Sequence, residues 1–417
     1  MTDGTRILTI PHHNPVDAIT MGGIVRDAGL SVEVFRKLLQ GRSRLSYRCS
    51  TRSVGIHPGG NVDTCRFHYD PHDPLEYSHS VVQVRSALKQ LPLFASLVLA
   101  SSMMPAAFAQ SARLLVAQKG DHSLGIVDPV AGRRLASVPE GGITGHEVAA
   151  SPDGRLAYVP IYSDAGVGKP GTNGRKMVVI DIAAQKIVDT VDFGRGVRPH
   201  CPIFGPKDGL LYVTTELEHA VTIIDPKTLK IIGSIPTGQP ESHMLAISHD
   251  GRRGYTANVG PGTVSVLDMQ AHKLLKIIPI SGNTQRISVS MDDRWAFTAD
   301  QTQPRMAVID TAAESVKHWV PLDGLGYGSA PTLDGRWLLM AIPAKDAVDV
   351  VDLKTMKVAR SVPVCADPQE VLMRPGGKAA YVSCMRSNQV AEIDLETWKM
   401  TRAIDTGKAS DGLAWAQ

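Results

Sequence analysis

The sequence predicts an all-β fold, a seven-bladed β-propeller with four antiparallel strands in each blade, and three observations support this prediction. The first is an apolar strand that ends in aspartate, written "LGIVD" in its first copy and "VAEID" in its last. Its seven aspartates are Asp128, Asp181, Asp225, Asp268, Asp310, Asp352 and Asp394. They lie 53, 44, 43, 42, 42 and 42 residues apart along the chain. Repeats of this length that consist of short strands are typical of propeller blades.

The second and third observations are a turn and the strand that follows it. The turn is "SPDGR" at residues 151–155, and it returns as "SHDGR", "SMDDR", "TLDGR" and "RPGGK". The strand after it has the forms "LAYVP", "LLYVT", "RGYTAN", "WAFTAD", "WLLMA" and "AAYVS". Each unit therefore supplies four strands, and the propeller occupies residues 110–417. The repeated aspartates are assigned a structural role, since a carboxylate before a tight turn accepts backbone N–H bonds.

The two ends of the repeat region predict how the ring closes. It starts on a second-type strand, "ARLLVAQ", and ends on a first-type strand, "GLAWAQ". The last strand then completes the blade that the N-terminal strands begin, in a one-plus-three latch. Such closure removes an open sheet edge that would invite aggregation.

Residues 84–109 have the three parts of a secretory signal peptide. Arg85 and Lys89 form a basic start, residues 91–100 an apolar core, and "AFA" at 107–109 a small-x-small cleavage site. The core is too short to span a bilayer, so no membrane span is expected in the mature chain. The alternative interpretation is a buried core helix. The protein is expected to be periplasmic or secreted.

Residues 1–83 precede this segment, and they show no sustained strand or helix period. Because a signal peptide functions at an N-terminus, we interpret these residues as a leader that arises from a mis-assigned translation start. The alternative is a genuine disordered extension or pro-segment.

Composition excludes one class of partner. Lys and Arg number 44 against 41 Asp and Glu, which gives a net charge of only +3. This charge provides no basis for nucleic-acid binding. A small-molecule ligand or a protein partner is expected instead, with the chain as a monomer. Cys365 and Cys384 are expected at one face of the last blade, where a disulfide is possible in an oxidising compartment.

The blade sequences carry a family resemblance. "RGYTANVGPGTVSVLD" and "LLYVTTELEHAVTIID" resemble the YVTN family of β-propeller repeats, which occur in secreted and surface proteins. The resemblance covers about residues 112–417 and extends to the haem-binding propeller of cytochrome cd-type nitrite reductases. It implies the blade fold and export, but it is weak evidence about activity because one fold carries unrelated functions.

One position in each repeat points to a binding site at the channel. The first strand of each blade lines the central channel, and the residue six places before the "SPDG" proline position lies at its entrance. These seven residues, here named the ring positions, are His146, His200, His243, Gln285, Tyr327, Gln369 and Asp411. The histidines of three consecutive blades, His146, His200 and His243, could hold a divalent transition metal (Zn, Cu or Fe), since imidazole is a common metal ligand.

Several charged residues are expected near the ring positions. Glu147 and Glu216 could act as carboxylate partners of metal-bound imidazole, or as a general base. Arg198 and Arg286 could hold an anionic ligand. His219 is brought to the same face by "TELEH", next to the long insertion "YSDAGVGKPGTNGRK" at 162–176, which is typical of a lid or ligand loop.

The sequence leaves three functions open. The first hypothesis is a propeller that binds a metal or a metal-bound small molecule at the top of its channel through His146, His200 and His243. The second is a metal- or cofactor-dependent periplasmic enzyme, redox or hydrolytic. The third is a non-catalytic surface or protein-interaction propeller without metal. Haem is not supported by an attachment motif, since the sequence contains no CxxCH.

We expect export and cleavage before Gln110 when the chain is expressed in a Gram-negative host from Val84, with Met in its place. N-terminal sequencing of the periplasmic protein checks this. Recovery of the native mature protein with residues 1–109 intact would contradict the interpretation of both segments.

Overall fold

The computed structural model describes residues 112–417 and, as backbone only, residues 45–49 and 65–69. Residues 112–417 form seven four-stranded antiparallel sheets, so the predicted seven-bladed propeller is confirmed. From inner to outer strand, blade 1 is Ser410–Ala416, Arg113–Gln118, Ser123–Asp128, Arg133–Pro139; blade 2 is Ala149–Ala150, Leu156–Ser163, Asn173–Asp181, Lys186–Asp192; blade 3 is Pro199–Phe204, Leu211–Thr215, Ala220–Asp225, Lys230–Pro236; and blade 4 is Ser242–Ile247, Arg253–Asn258, Thr263–Asp268, Lys273–Pro279. Blade 5 is Ser288–Val289, Trp295–Asp300, Arg305–Asp310, Ser315–Pro321; blade 6 is Ser329–Pro331, Trp337–Ile342, Ala347–Asp352, Lys357–Pro363; and blade 7 is Pro368–Met373, Ala379–Cys384, Gln389–Asp394, Lys399–Asp405.

Two single-turn 3-10 helices, Glu216–Glu218 and Pro343–Lys345, join the second and third strands of blades 3 and 6. No helix in the described part of the chain is long and apolar enough to cross a membrane.

The burial of each strand follows its place in the blade. In blade 3, Ala220–Asp225 is buried at every position but the last, because a third strand has neighbouring blades on both of its faces. The outer strand Lys230–Pro236 buries only Ile235 fully. Burial of one such aliphatic side chain contributes about 1.5–3 kcal/mol, so the packing between blades provides most of the driving force for folding.

The repeated aspartates have the structural role that the sequence indicates. Asp268 accepts the backbone N–H groups of Gln270 and Ala271 at 3.1 and 2.8 Å, within the turn between the third and fourth strands. Asp394 accepts the corresponding N–H groups in blade 7. These exposed carboxylates are occupied by the turns, which leaves the ring positions as the better candidates for a site.

The ring closes through the predicted latch. Ser410–Ala416 pairs antiparallel with Arg113–Gln118, with Arg113 opposite Ala416 and Leu115 opposite Ala414. The backbone N–H of Gly412 also donates to the carbonyl oxygen of His146, at 2.9 Å. The C-terminal strand is therefore bonded to blade 1 and to the first strand region of blade 2.

The last blade contains a disulfide between Cys365 and Cys384, whose Cα atoms lie 5.6 Å apart. It joins the segment before the inner strand to the end of the second strand. Cys201, the free cysteine in residues 112–417, is buried between blades, as strand alternation predicts.

One difference from the sequence interpretation concerns the leader. Leu45–Cys49 and Cys65–Tyr69 form a two-stranded antiparallel sheet, although no strand period was expected in residues 1–83. Both segments alternate apolar and polar residues, but over only five positions, which is too short for a period to stand out. The signal segment 84–109 and the rest of the leader lie outside the described residues.

Deletion of residues 410–417 should make the protein insoluble or greatly lower its melting temperature. The deletion leaves the inner edge of Arg113–Gln118, whose middle residues 114–117 are apolar, without a partner strand and next to an open channel. Removal of Gln417 alone, which lies beyond the strand, is the control and should have little effect. A chain without residues 410–417 that melts at the parent temperature would refute this closure.

Candidate functional site

The three ring-position histidines meet at the entrance of the channel. His146, His200 and His243 lie at the start of the first strands of blades 2, 3 and 4, where neighbouring strands converge. The ring centroids of His200 and His243 are 3.5 Å apart in a stacked arrangement, and those of His146 and His200 are 5.6 Å apart, edge to face. The adjacent blades therefore bring these side chains into contact.

Tyr162 completes this group, which we name the histidine cluster. Its ring centroid lies 4.8, 4.9 and 5.5 Å from those of His146, His200 and His243. Its hydroxyl donates to Glu216 Oε2. Sequence reasoning missed Tyr162, although its place at the end of a second strand, beside the insertion, was a usable signal.

The histidine cluster is more buried than the sequence suggested. The expectation was a solvated channel mouth, but His200 and His243 are only 2% and 3% exposed, and His146 is half-buried. This difference has a structural cause, since Tyr162 packs against all three rings and His200 and His243 stack on each other. The Nδ1 atoms of His200 and His243 have no hydrogen-bond partner among the described residues. A buried polar atom without a partner is costly and calls for an explanation, such as an unseen ligand.

Burial keeps these imidazoles neutral. It lowers the pKa of His146 to about 3, and nearby Lys119 lowers it further. Burial lowers the pKa of His200 well below its ordinary value, with the neighbouring His243 adding to the effect. Burial also lowers the pKa of His243, although Glu216 opposes it. Neutral imidazole is the form that binds metals.

Glu216 links the histidine cluster to Arg198. Its Oε2 lies 3.7 Å from His243 Nδ1, and its Oε1 lies 3.5 Å from Arg198 Nη1. Burial alone would raise the pKa of Glu216, but the interactions with His243 and Tyr162 outweigh it and hold that pKa low. Glu216 is therefore a buried carboxylate at neutral pH, in the 3-10 helix of blade 3.

A second buried group, the charge cluster, spans the channel next to the histidines. Arg286 lies at its centre, with Nη1 2.8 Å from Glu147 Oε1 and Nη2 2.9 Å from Asp411 Oδ1. Glu370 Oε2 is 3.8 Å from Arg286, and Lys119 Nζ is 3.1 Å from Asp411 Oδ2. These residues come from blades 1, 2, 5 and 7, so the cluster ties opposite sides of the ring together.

The pKa shifts in the charge cluster follow from burial and pairing. Burial raises the pKa of Glu147 and of Glu370, although Arg286 opposes the rise. Burial would also raise the pKa of Asp411, but Lys119 and Arg286 outweigh it and lower that pKa. Since Arg286 is paired with buried carboxylates, it is not free to hold an anionic ligand as the sequence suggested.

Glu370 directly follows the ring position Gln369, and sequence reasoning missed it. Strand alternation predicts that this residue points away from the channel, and Cys201 does so. Glu147, Arg286 and Glu370 occupy the same position in other blades, yet they meet around the axis. The inner strands of blades 2 and 5 start only at Ala149 and Ser288, after Glu147 and Arg286, so strand alternation does not apply to those two residues. The register of blade 7 shifts between Pro368 and Val371, but that of blade 3 shifts in the same way between Pro199 and Pro202, so the shift does not distinguish Glu370 from Cys201.

The remaining sequence candidates lie at the margin. Gln369 Nε2 donates to Asp367 Oδ1 at 2.8 Å, and Gln285 is half-buried. Tyr327 lies under Arg286, with the guanidinium carbon 5.0 Å from the ring centroid. His219 is exposed at the end of the 3-10 helix, outside the histidine cluster.

No group of three or more His, Cys, Asp or Glu side chains within the described ranges is arranged to hold a metal ion. The stacked rings of His200 and His243 bring their faces together, whereas a shared ion needs ring nitrogens that converge. The metal site on His146, His200 and His243 therefore stays a prediction. A surface groove of about 550 Å³ lies elsewhere, among turns of blades 6 and 7 that include Trp337 and Trp398.

Fold and site together define a seven-bladed propeller with a buried polar entrance to its channel. Residues 205–332 match the family model described as "Cytochrome D1 heme domain". This confirms the predicted relation to the propeller of cytochrome cd-type nitrite reductases. The matched segment contains His243, Glu216 and Arg286 but neither His146 nor His200.

Three solved structures share the fold. Hydrazine synthase of Kuenenia stuttgartiensis is 20% identical with a TM-score of 0.57, over 66% of this chain and 90% of that one. A functionally unknown protein from Desulfotomaculum acetoxidans is 14% identical with a TM-score of 0.62, over 73% and 99%. Dihydro-heme d1 dehydrogenase NirN in complex with DHE is 16% identical with a TM-score of 0.53, over 72% and 74%. A comparison with curated proteins found no match.

The low pKa of His200 predicts a loss of stability in mild acid. The unfolded chain takes up a proton at about pH 6.5 and the buried ring does not, so stability falls as pH drops below that value. Between about pH 7.5 and pH 5 the loss is about 2 kcal/mol for one such ring. Urea unfolding of the parent and of His200→Asn measures this difference. His318→Ala, on an exposed outer strand, should keep the full pH dependence, and a His200→Asn variant that also keeps it would contradict the prediction.

Proposed function

We propose that this chain is an exported propeller that binds a metal-centred small molecule of the haem class at the top of its channel. The observation that carries the proposal is the histidine cluster: neutral imidazoles at the channel entrance, with a buried Nδ1 on His200 that has no partner among the described residues, while His243 Nδ1 lies 3.7 Å from Glu216. The match of residues 205–332 to a haem-domain family model supports the same ligand class.

The geometry favours a metal-centred molecule over a bare ion. A bare ion needs three or four converging side chains, whereas a haem-type iron needs only one or two protein ligands at its axial positions. His146 would hold the iron of such a molecule, because its ring is the most exposed of the three. His200 and His243 would line the inner side of the site. Bound haem-type iron would supply redox or ligand-binding chemistry.

The residues around the cluster would position the ligand and exclude water. Glu216 fixes Tyr162 through the bond from the phenol, and Tyr162 in turn packs against each imidazole. Lys119 is partly exposed at the entrance, where its ammonium is paired with Asp411. That ammonium would be near an acidic group on the rim of a ligand, while Arg286 stays within the charge cluster.

Export to the periplasm is part of the proposal. It rests on the signal-like segment 84–109 and is supported by the disulfide between Cys365 and Cys384, since disulfides persist in oxidising compartments. A monomer fits a closed ring with no free sheet edge at the latch.

Titration of the full chain with hemin should produce a shifted and sharpened Soret band, with binding weakened about tenfold or more by His146→Ala. His318→Ala is the matched control and should bind like the parent. Parallel melting curves with Zn²⁺, Cu²⁺ or Fe²⁺ test a bare ion, which would raise the melting temperature of the parent but not of the triple variant at His146, His200 and His243.

A parent protein that neither changes the hemin spectrum nor gains stability from any of these ions would contradict the proposed function. The histidine cluster would then be a polar plug of the channel. The interaction-propeller hypothesis would be the one left.

A further inference from the structure

The insertion loop of blade 2, residues 163–173, has internal structure of its own. Asp164 accepts the backbone N–H and the hydroxyl of Thr172, both at 2.7 Å. The Ser163 hydroxyl donates to the Thr172 carbonyl at 2.8 Å, so both ends of the loop are held together. A loop whose ends are bonded in this way can move as one unit.

The loop is fastened to the site by Arg198, which is only 3% exposed. Its Nη2 donates to the Lys169 carbonyl and its Nε to Asn173 Oδ1, each at 2.7 Å. Its Nη1 faces Glu216, so one guanidinium connects the tip and the end of the loop to the carboxylate of the histidine cluster.

The tip of the loop touches the same region directly. Gly168 has a φ of +65°, and its backbone N–H points to Glu216 Oε1 at 3.4 Å. A Cβ at Gly168 would lie 2.4 Å from Glu241 Oε1, which is the end of a flexible side chain, and the positive φ would strain any other residue at the tip. The closed position of the loop therefore depends on glycine at this point.

Polar contacts, and not apolar packing, hold the loop in place. Asp164, Gly166, Gly168, Lys169 and Pro170 are all exposed. Segments with few buried apolar contacts open at low free-energy cost compared with the core. The loop borders the histidine cluster through Glu216, because the tip contacts this carboxylate, which accepts the Tyr162 hydroxyl and lies 3.7 Å from His243 Nδ1.

We propose that residues 163–173 form an opening cover over the histidine cluster and that Arg198 is the residue that fastens it. This deepens the proposed function, since a ligand larger than water reaches His200 and His243 only when the cover opens. Arg198 thereby controls access to the site and does not bind the ligand itself. Removal of its guanidinium releases Lys169 and Asn173 together and favours the open loop.

The test measures histidine access without any ligand, so it is independent of whether hemin binds. The full chain is treated with diethyl pyrocarbonate, which modifies neutral imidazole, and the modification of His200 and His243 is followed by peptide mass spectrometry. Arg198→Ala should raise both rates about tenfold or more, as expected for the loss of hydrogen bonds from a charged group. Amide hydrogen exchange should rise within residues 163–173 and stay unchanged in the blades.

Two further variants keep the test decisive. Arg195→Ala removes an exposed arginine that lies three residues before Arg198 and pairs with Glu218, and it should behave like the parent. Gly168→Ala displaces the tip while leaving Arg198 intact, and it should raise the same modification rates if Arg198→Ala does not fold. The proposal is overturned if His200 and His243 are as unreactive in Gly168→Ala and in folded Arg198→Ala as in the parent, or if they already react at the rate of the exposed His318 in the parent.

Discussion

The pairing of Ser410–Ala416 with Arg113–Gln118 is the contact on which the rest of the structure depends. Each blade packs only on its two neighbours, so an open ring would leave two apolar blade faces in water. Closure also sets the diameter of the channel, and with it the distances between the ring positions. The histidine stack and the ion pairs across the axis are consequences of this one strand pairing.

Closure of the ring removes water from charged side chains at the axis, and the ion pairs of the charge cluster compensate for this loss of solvation. Seven inner strands bring polar side chains to a narrow axis, where water cannot solvate all of them. Arg286 satisfies carboxylates from blades 1 and 2 at once. Removal of one partner from such a buried set costs about 3–5 kcal/mol, because the remaining charge stays buried and unpaired. The charge cluster therefore fixes the relative rotation of blades whose sheets are not in contact with each other.

The repeat made the fold and the ring positions predictable. The aspartates recur every 42 to 44 residues except for one spacing of 53, which contains the insertion, and counting back from the repeated turn transfers the location of His146 to His200 and His243 without any structure. The closure of blade 1 was also predictable, because the repeat region starts on a second-type strand and ends on a first-type strand.

Departures from the repeat were not predictable in the same way. Glu370 lies near Arg286, whereas Cys201 at the equivalent position of blade 3 packs between blades, although both strands begin with the same register shift, so strand alternation does not separate the two. Tyr162 reaches all three histidines because the insertion changes the end of its strand. Burial of His200 depends on side chains of other blade elements, Tyr162 and His243, that pack against it. The placement of the insertion loop depends on contacts such as those of Arg198 with Lys169 and Asn173.

The ion pair between Lys119 and Asp411 has a consequence for the order of events during synthesis and folding of the chain. These two residues are separated by almost the whole propeller in sequence, yet their side chains are 3.1 Å apart at the channel entrance. An incomplete chain, still being synthesised or cut short, has all three histidines but lacks the strand that carries Asp411. The entrance is finished only when Ser410–Ala416 pairs with Arg113–Gln118, so a complete entrance forms only in a closed ring.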